Sequence, residues 1–149
     1  MTTVSNWFVW ALLSAVFAAL TTVFAKLGLA GLDSDFATLI RTAVILILLA
    51  TLVMVTGKWS NPLALPPRAL GLLLLSALAT GASWVCYFRA LQAGDAALVA
   101  SVDKASLLLV AIFAVSFLGE RPTARDWSGI ALVGAGIVVL GLPMTNRGH

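Results

Sequence analysis

Two adjacent charged residues, Asp103 and Lys104, lie inside a stretch that carries no other charge from Ala96 to Leu118. At about 1.5 Å per residue, a helix of this length is long enough to cross a bilayer. A charge near the bilayer centre costs roughly 2.5 to 3.5 kcal/mol, so a chain that keeps two charges there must pair or hydrate them. Asp103 and Lys104 are therefore the first candidates for recognising a charged solute or for coupling its movement to protons.

These two charges are predicted to find their partners on other helices. Successive helical residues point about 100° apart, so we expect Asp103 and Lys104 not to face each other. Arg41 is the preferred partner of Asp103, because a guanidinium and a carboxylate form two parallel hydrogen bonds. Lys104 would then face a substrate anion, a water-filled cavity or a second subunit. In the alternative, Arg41 and Arg89 extend to the headgroups, and Asp103 and Lys104 only fix the packing.

A polar and aromatic stripe follows one face of the segment from Ala69 to Leu91. Its members recur at three and four residues and are Ser76, Thr80, Ser83, Trp84 and Tyr87. Such a face points toward other helices or a cavity and away from lipid. We expect Ser83, Trp84 and Tyr87 to contact a solute; the alternative is that their polar groups only join neighbouring helices.

The balance of these charges indicates the class of solute. Counted along the predicted helices, Arg41, Arg89, Asp103 and Lys104 all lie within about 3 to 12 Å of the same membrane surface. Cationic groups outnumber anionic ones there, which favours an anionic or zwitterionic solute. A small-drug/proton exchanger, which needs an embedded carboxylate, would depend on Asp103 alone, since the first predicted helix carries no acidic residue.

The elements that must position these residues are long apolar segments. Of the 149 residues, 61% are hydrophobic and 10% charged, compared with about 25% charged in soluble domains. This composition predicts one all-α integral membrane domain over residues 1–149, in a lipid bilayer. Its five transmembrane helices are expected at residues 7–25, 36–56, 69–91, 96–118 and 125–142. Asp33, Ser34 and Asp35 offer a cap for the start of the second helix.

Composition and spacing also indicate what the chain does not bind. Its basic residues are scattered singly, so the net charge of +3 does not predict nucleic-acid binding. Cys86 is the one cysteine and His149 the one histidine, which gives no set of metal ligands. No combination of nucleophile, base and orienting residue occurs. We expect no enzyme, no metal and no cofactor.

Two further groups of residues have structural or gating interpretations. The last predicted helix contains glycines that pair at seven-residue spacing: Gly129, Gly134, Gly136 and Gly141. Small residues let backbones approach closely, so this helix is the candidate contact face within the bundle or with a second subunit. Glu120 and Arg121 follow the fourth helix and act either as a loop that sets topology or as part of a gate with Arg125 or Lys58. Arg89, near the end of the third helix, is a further structural or gating candidate.

A family resemblance follows from these features. The segment FRALQAGDAALVASVDKASLLLVAIFAVSFLGERPTARDWSGIALVGAGIVVLG resembles the second half of an EamA repeat of the drug/metabolite transporter superfamily. That pattern has an aromatic residue and RAL at the end of helix 3, LGE at the end of helix 4, and a glycine-rich helix 5. The likeness extends from about Trp7 to Leu142. The residues that match it are Arg41, Arg89, Gly119, Glu120 and Gly129, whereas Asp103 and Lys104 are less typical.

The resemblance implies a secondary transporter that works by alternating access in a dimer. Larger family members contain two such repeats of opposite topology, so one repeat implies pairing with a second copy, for instance antiparallel, or with a similar small subunit. The alternative is a non-transporting subunit, or half of a heteromeric lipid-linked sugar flippase. We expect a multi-pass protein of the inner (plasma) membrane. A small excess of positive charge favours a cytoplasmic N-terminus and is compatible with dual topology.

Overall fold

The computed structural model describes residues 6–141 and shows an all-α protein, with no strand among those residues. Five of its segments are long and apolar enough to cross a membrane, so the predicted fold of five long apolar helices is confirmed. The predicted end at Leu142 and the lone His149 lie outside the described residues. The α-helices are α1 (Asn6–Gly28), α2 (Ser34–Val55), α3 (Pro67–Ala93), α4 (Ala96–Asp103), α5 (Ser106–Phe113) and α6 (Ala124–Gly141).

The fourth membrane segment is not one uniform helix. It consists of α4, α5 and a π-helical turn, Ala114–Leu118. Between α4 and α5 the backbone bonds span three residues, from Lys104 N to Ser101 O and from Ala105 N to Val102 O. Such tight turns within a helix often mark a hinge. The two embedded charges therefore lie at an interruption of the helix that the sequence pattern does not predict.

Local sequence explains where the other helices begin. The Asp33 carboxylate accepts hydrogen bonds from the amides of Asp35, at 3.0 Å, and Phe36, at 2.9 Å, which confirms the predicted cap of α2. Helix α3 begins at Pro67, because proline fits the first turn, where its missing N–H is not needed. Thr123 and Asp126 cap α6 reciprocally: the Asp126 carboxylate accepts from Thr123 N, and Thr123 Oγ1 accepts from Asp126 N.

The chain divides into two compact units, Met1–Ala93 and Gly94–His149. In the first unit α3 contacts both α1 and α2, and in the second α4 and α5 both pack against α6. The first unit contains the two largest fully buried side chains, Phe88 and Leu91. Both lie near the C-terminal end of α3, which fixes that end of the helix against its neighbours.

Most large apolar side chains face outward. Leu72, Leu73, Leu74, Leu75 and Leu78 of α3, for example, are all more than half exposed. Soluble proteins rarely expose apolar patches of this extent, whereas lipid tails cover them at no cost. A position within the membrane explains why so many large apolar side chains are exposed. It also makes a charged side chain between the two ends of a helix an unusual feature.

Candidate functional site

Arg41 of α2 lies against two aromatic rings of α3. Its guanidinium carbon is 4.5 Å from the centre of the Phe88 ring and 5.1 Å from that of Trp84. Trp84 and Phe88 are four residues apart and so share one face of α3. Both distances are within the range of cation–π attraction, about 6 Å. The aromatic face of α3 therefore positions the arginine, roughly two turns from the start of α2.

The hydrogen-bonding capacity of Arg41 is not fully used. Its Nη1 atom is buried and has no hydrogen-bond partner among the described residues. A buried donor without a partner costs about 1 to 3 kcal/mol, and more when the group is charged. An anion that accepted a bond from this guanidinium would recover that cost. Asp103 belongs to the second unit, and its predicted pairing with Arg41 stays a prediction.

A half-open cavity of about 370 Å³ lies within the first unit, next to Arg41, and Phe24, Leu32 and Ile40 of its wall are exposed. Helix α1, the link after it, α2 and α3 all contribute to its wall. The ten lining residues are Thr21, Phe24, Ala25, Gly28, Leu29, Leu32, Ala37, Ile40, Arg41 and Phe88. Arg41 is the one charged residue of this set, and the volume lies in the range of small-molecule sites, about 300 to 1,000 Å³. The cavity combines an apolar wall with a single cation.

The predicted stripe on α3 divides into residues with different surroundings. Trp84 contacts Arg41, as described above, and Ser83 is exposed. The Tyr87 hydroxyl lies 2.7 Å from Thr22 Oγ1, and Thr22 Oγ1 already donates to the carbonyl of Ala18. Since threonine has one hydroxyl proton, Tyr87 must be the donor in the first bond. Tyr87 thus joins α3 to α1, and the predicted solute contacts of Ser83, Trp84 and Tyr87 stay predictions.

The end of the first unit nearest Arg89 is held by a polar cluster that is not among the sequence-based predictions. We call Lys26, Asp35, Arg89 and Gln92 the end cluster. Arg89 donates two hydrogen bonds to the Asp35 carboxylate, at 3.0 and 2.6 Å. Lys26 Nζ donates to the Leu91 carbonyl at 2.6 Å, and Gln92 donates to the Leu32 carbonyl at 2.8 Å. The end cluster therefore joins α1, α2, α3 and the link between α1 and α2.

A signal for the ion pair was present in the sequence. Asp35 belongs to the first turn of α2, and Arg89 to the last turns of α3. The two helices run in opposite directions through the membrane, so these positions fall at the same level. Opposite charges at one level, on consecutive helices, predict a pair. Arg89 thus has a defined structural partner, while its role in gating stays a prediction.

In the second unit, Asp103 and Lys104 pair with each other. Lys104 Nζ lies 3.6 Å from an oxygen of Asp103, and both side chains are substantially exposed. This corrects the expectation that the two neighbours do not face each other. The expectation assumed a regular helix and rigid side chains, whereas α4 ends at Asp103 and the four-carbon stem of lysine spans the remaining angle. The embedded charges are therefore partly neutralised within one turn.

The glycines of α6 lie in two kinds of surroundings. A Cβ atom built on Gly134 would lie 3.1 Å from a methyl group of Leu108 in α5, so the absence of a side chain lets the two helices pack closely. At Gly129, Gly136 and Gly141 an added Cβ would meet nothing within 4 Å. Close packing within the second unit therefore accounts for Gly134. The role of the other three glycines in a dimer face stays a prediction.

The link after the fourth membrane segment is shaped by a left-handed glycine. Gly119 has a φ of 68° and follows the π-helical turn, and the Glu120 amide donates to the Ala114 carbonyl at 3.1 Å. Glycine adopts this conformation without steric cost. Glu120 and Arg121 are exposed in this link, and their gating role stays a prediction.

Among the described residues, no group of three or more His, Cys, Asp or Glu is placed to hold a metal ion.

Comparison with known proteins gives the family. Residues 5–142 match the EamA-like transporter family. A Sinorhizobium sp protein described as an uncharacterized transporter in the cobO 3' region is 57% identical over 135 residues, which cover 91% of this chain and 96% of that protein. No solved structure matches. The resemblance seen in the sequence is thereby confirmed, and the chain belongs to the EamA-like transporter family.

Proposed function

We propose that the protein is a secondary transporter that moves a small anionic or zwitterionic solute across the inner membrane. Family membership and the transporter description of the Sinorhizobium sp relative support transport rather than enzymatic chemistry. The class of solute is inferred from one observation. Arg41 lines a cavity of suitable size, and its buried Nη1 lacks a hydrogen-bond partner among the described residues.

The surroundings of Arg41 suit recognition of a carboxylate or phosphate. A guanidinium is planar, always charged and able to offer two parallel donors to such a group. The rings of Trp84 and Phe88 restrict its orientation, so less side-chain freedom is lost when an anion binds. In this proposal Arg41 binds the solute, and Trp84 and Phe88 act as positioning residues.

Asp103 and Lys104 supply a second charged site at the interruption between α4 and α5. Transporters commonly place substrate and ion sites at discontinuous helices, where charged side chains and free backbone groups meet. We propose that protonation of Asp103 releases Lys104 and couples solute movement to a proton. The turn at Lys104 provides a hinge at which this change could move α4 relative to α5.

Many transporters achieve alternating access with two inverted halves, and an antiparallel dimer of this chain would supply them. We propose that two copies in opposite orientations form the transporter. The end cluster then closes one end of each copy while the solute faces the other side of the membrane. A similar small membrane subunit in place of the second copy would satisfy the same geometry.

Flux through the purified protein tests this proposal. The full chain is reconstituted alone in phosphatidylcholine vesicles, and uptake of radiolabelled succinate, glutamate, alanine and octanoate is measured with and without a pH gradient. Flux is the uptake in excess of that by protein-free vesicles, because octanoic acid crosses the bilayer unaided. We expect flux of at least one of these acids, reduced at least tenfold in Arg41→Gln and uncoupled from the gradient in Asp103→Asn. Arg68→Gln, an exposed arginine at the other end of α3, is the matched control and should transport normally.

Two results would contradict the proposal. Absence of flux for all four acids, together with a second small membrane protein that co-purifies, would indicate a non-transporting subunit or half of a heteromeric flippase. Flux of a lipophilic cation such as tetraphenylphosphonium, dependent on Asp103 and not on Arg41, would indicate a drug/proton exchanger.

A further inference from the structure

We propose that the cavity beside Arg41 binds an amphiphilic anion, that is, a carboxylate or phosphate group attached to an apolar body. This inference rests on the proposed function and narrows it. Within the wider class of anionic and zwitterionic solutes, it selects organic anions with an apolar portion. Zwitterions and small hydrophilic anions are excluded from this cavity.

The charge of the cavity wall excludes a zwitterion. Arg41 is the one charged group among the ten lining residues, and none of them is Asp or Glu. The ammonium group of a bound zwitterion would lie among apolar side chains with no carboxylate to pair with it. Burying such a charge without a partner is strongly unfavourable. The cavity therefore complements one negative charge and no positive charge.

The apolar part of the wall requires an apolar body. Phe24, Leu29, Leu32, Ile40 and Phe88 face the cavity. A volume of about 370 Å³ is far larger than a carboxylate or phosphate group alone would fill. Each methylene that moves from water into such a cavity raises affinity by roughly fourfold. A solute that fills the space with hydrocarbon gains affinity that a hydrophilic anion cannot.

The position of Arg41 places the anionic group at one side of this space. The rings of Trp84 and Phe88 lie 5.1 and 4.5 Å from its guanidinium carbon and restrict its orientation in the wall of the cavity. The hydroxyl of Thr21, which also lines the cavity, is a second donor within the wall. An amphiphile would direct its acid group to Arg41 and its hydrocarbon toward Leu29, Leu32 and Phe24.

Two sources could supply this chemistry. One is a water-soluble organic acid that enters the cavity from the aqueous phase. The other is an anionic lipid of the bilayer, whose phosphate would bind Arg41 while its chain occupies the apolar wall. The binding chemistry is the same in both cases, so the experiment must separate them by the composition of the membrane.

Direct binding of octanoate to the full chain tests the inference. The protein is placed in phosphatidylcholine nanodiscs and titrated with radiolabelled octanoate, with unlabelled acetate, octylamine and 8-aminooctanoate as competitors. We expect octanoate to bind at least tenfold more tightly than each competitor, because acetate lacks the hydrocarbon, octylamine lacks the negative charge, and 8-aminooctanoate adds a positive charge that the wall cannot pair. The 8-aminooctanoate probe is decisive, since it keeps the length and the carboxylate and adds only the ammonium group.

Three variants assign the binding to this cavity. Arg41→Gln should weaken octanoate binding at least tenfold, whereas Arg68→Gln, which removes the same charge outside the cavity, should leave it unchanged. Ala37→Leu keeps Arg41 but fills part of the cavity, and it should also weaken octanoate binding. Because Ala37→Leu removes no charge, weaker binding in this variant is not a general effect of removing a charge from the membrane. Partition of octanoate into the nanodisc lipid is the same for every variant and cancels in the comparison.

The outcomes separate this inference from the proposed function. Equal affinity for octanoate and 8-aminooctanoate or acetate, or unchanged binding in Arg41→Gln, would overturn the inference and leave transport intact. Octanoate binding without any flux would support the inference and overturn the proposed function. Competition by phosphatidylglycerol at high salt, which screens the surface potential, would support the shared chemistry and assign the lipid as the occupant. Absence of that competition would assign a water-soluble acid.

Discussion

At the scale of single residues, the aromatic surroundings of Arg41 within the first unit decide what this cation can do. A carboxylate partner would neutralise the guanidinium and satisfy its donors, whereas ring faces attract the charge without accepting strong hydrogen bonds. The arginine is thereby kept in place with bonding capacity to spare, as the buried Nη1 shows. This is the arrangement expected of a residue whose partner arrives with the solute.

Removal of the Trp84 ring tests this positioning role. In Trp84→Leu the site stays apolar, but the guanidinium loses one of its two ring contacts and gains rotational freedom. We expect the affinity for octanoate to fall about two- to tenfold, which corresponds to the usual strength of a cation–π contact. Trp59→Leu replaces an exposed tryptophan in the link after α2 and should have no effect. Unchanged binding in Trp84→Leu would show that the ring does not position Arg41.

At the scale of elements, periodicity predicts which segments are helices but not where a helix is interrupted. The five apolar segments and the cap at Asp33 follow from hydropathy and from local hydrogen-bonding chemistry, which the sequence states directly. The turn between α4 and α5 cannot be predicted in this way, because no residue from Val102 to Leu107 is of a type that breaks a helix. The contact of Arg41 with Trp84 and Phe88 depends on how α2 and α3 rotate about their axes. Hydropathy in a lipid-covered bundle leaves that rotation undetermined.

The ion pair in the end cluster should control access to the cavity. Arg89→Asp would place two carboxylates together, separate α2 from α3 at this end and expose the cavity. We expect maleimide to label Ala37→Cys, in a Cys86→Ser background, severalfold faster in the Arg89→Asp variant. The double exchange Asp35→Arg with Arg89→Asp restores opposite charges and should return the rate to its original value. Equal labelling rates in the single and double variants would contradict this role of the pair.

Close packing of α6 on α5 makes a prediction about glycine positions. Gly134→Val would drive a side chain into Leu108, 3.1 Å from the new Cβ, and should lower the free energy of unfolding by about 1 to 3 kcal/mol. Gly136→Val introduces the same residue two positions away, where nothing lies within 4 Å, so it is the matched control. Thermal unfolding in detergent micelles measures both. A larger loss in Gly136→Val, seen only in nanodiscs that hold two copies, would indicate that a second copy covers that face.

At the scale of the whole molecule, the arrangement of charges along the chain decides how copies can pair. The topology predicted from the sequence assigns Lys58, Arg68, Arg121 and Arg125 to the side of the N-terminus, and Lys26 and Arg147 to the other side. Orientation depends on the difference in Lys and Arg between the two sides. In this chain the difference is modest, because Arg41 and Arg89 lie near the side that has fewer basic residues. We propose that a chain with so small a bias inserts in both orientations, and that an antiparallel pair supplies two inverted halves for alternating access.

Labelling of two links in intact cells tests this orientation. Ala30→Cys, in the link after α1, and Ser60→Cys, in the link after α2, lie on opposite sides of the membrane in any single copy; both are exposed. In a Cys86→Ser background, a membrane-impermeant maleimide should label each variant only in part, because each link faces outward in only some of the copies. Complete labelling of one variant and none of the other would establish a single orientation and exclude the antiparallel homodimer.

Adding two lysines next to Ser60 should shift labelling away from Ser60→Cys and toward Ala30→Cys, since positive charge is retained on the cytoplasmic side. If flux falls as that shift proceeds, and returns when chains of the two fixed orientations are produced together, the transporting unit contains one copy of each.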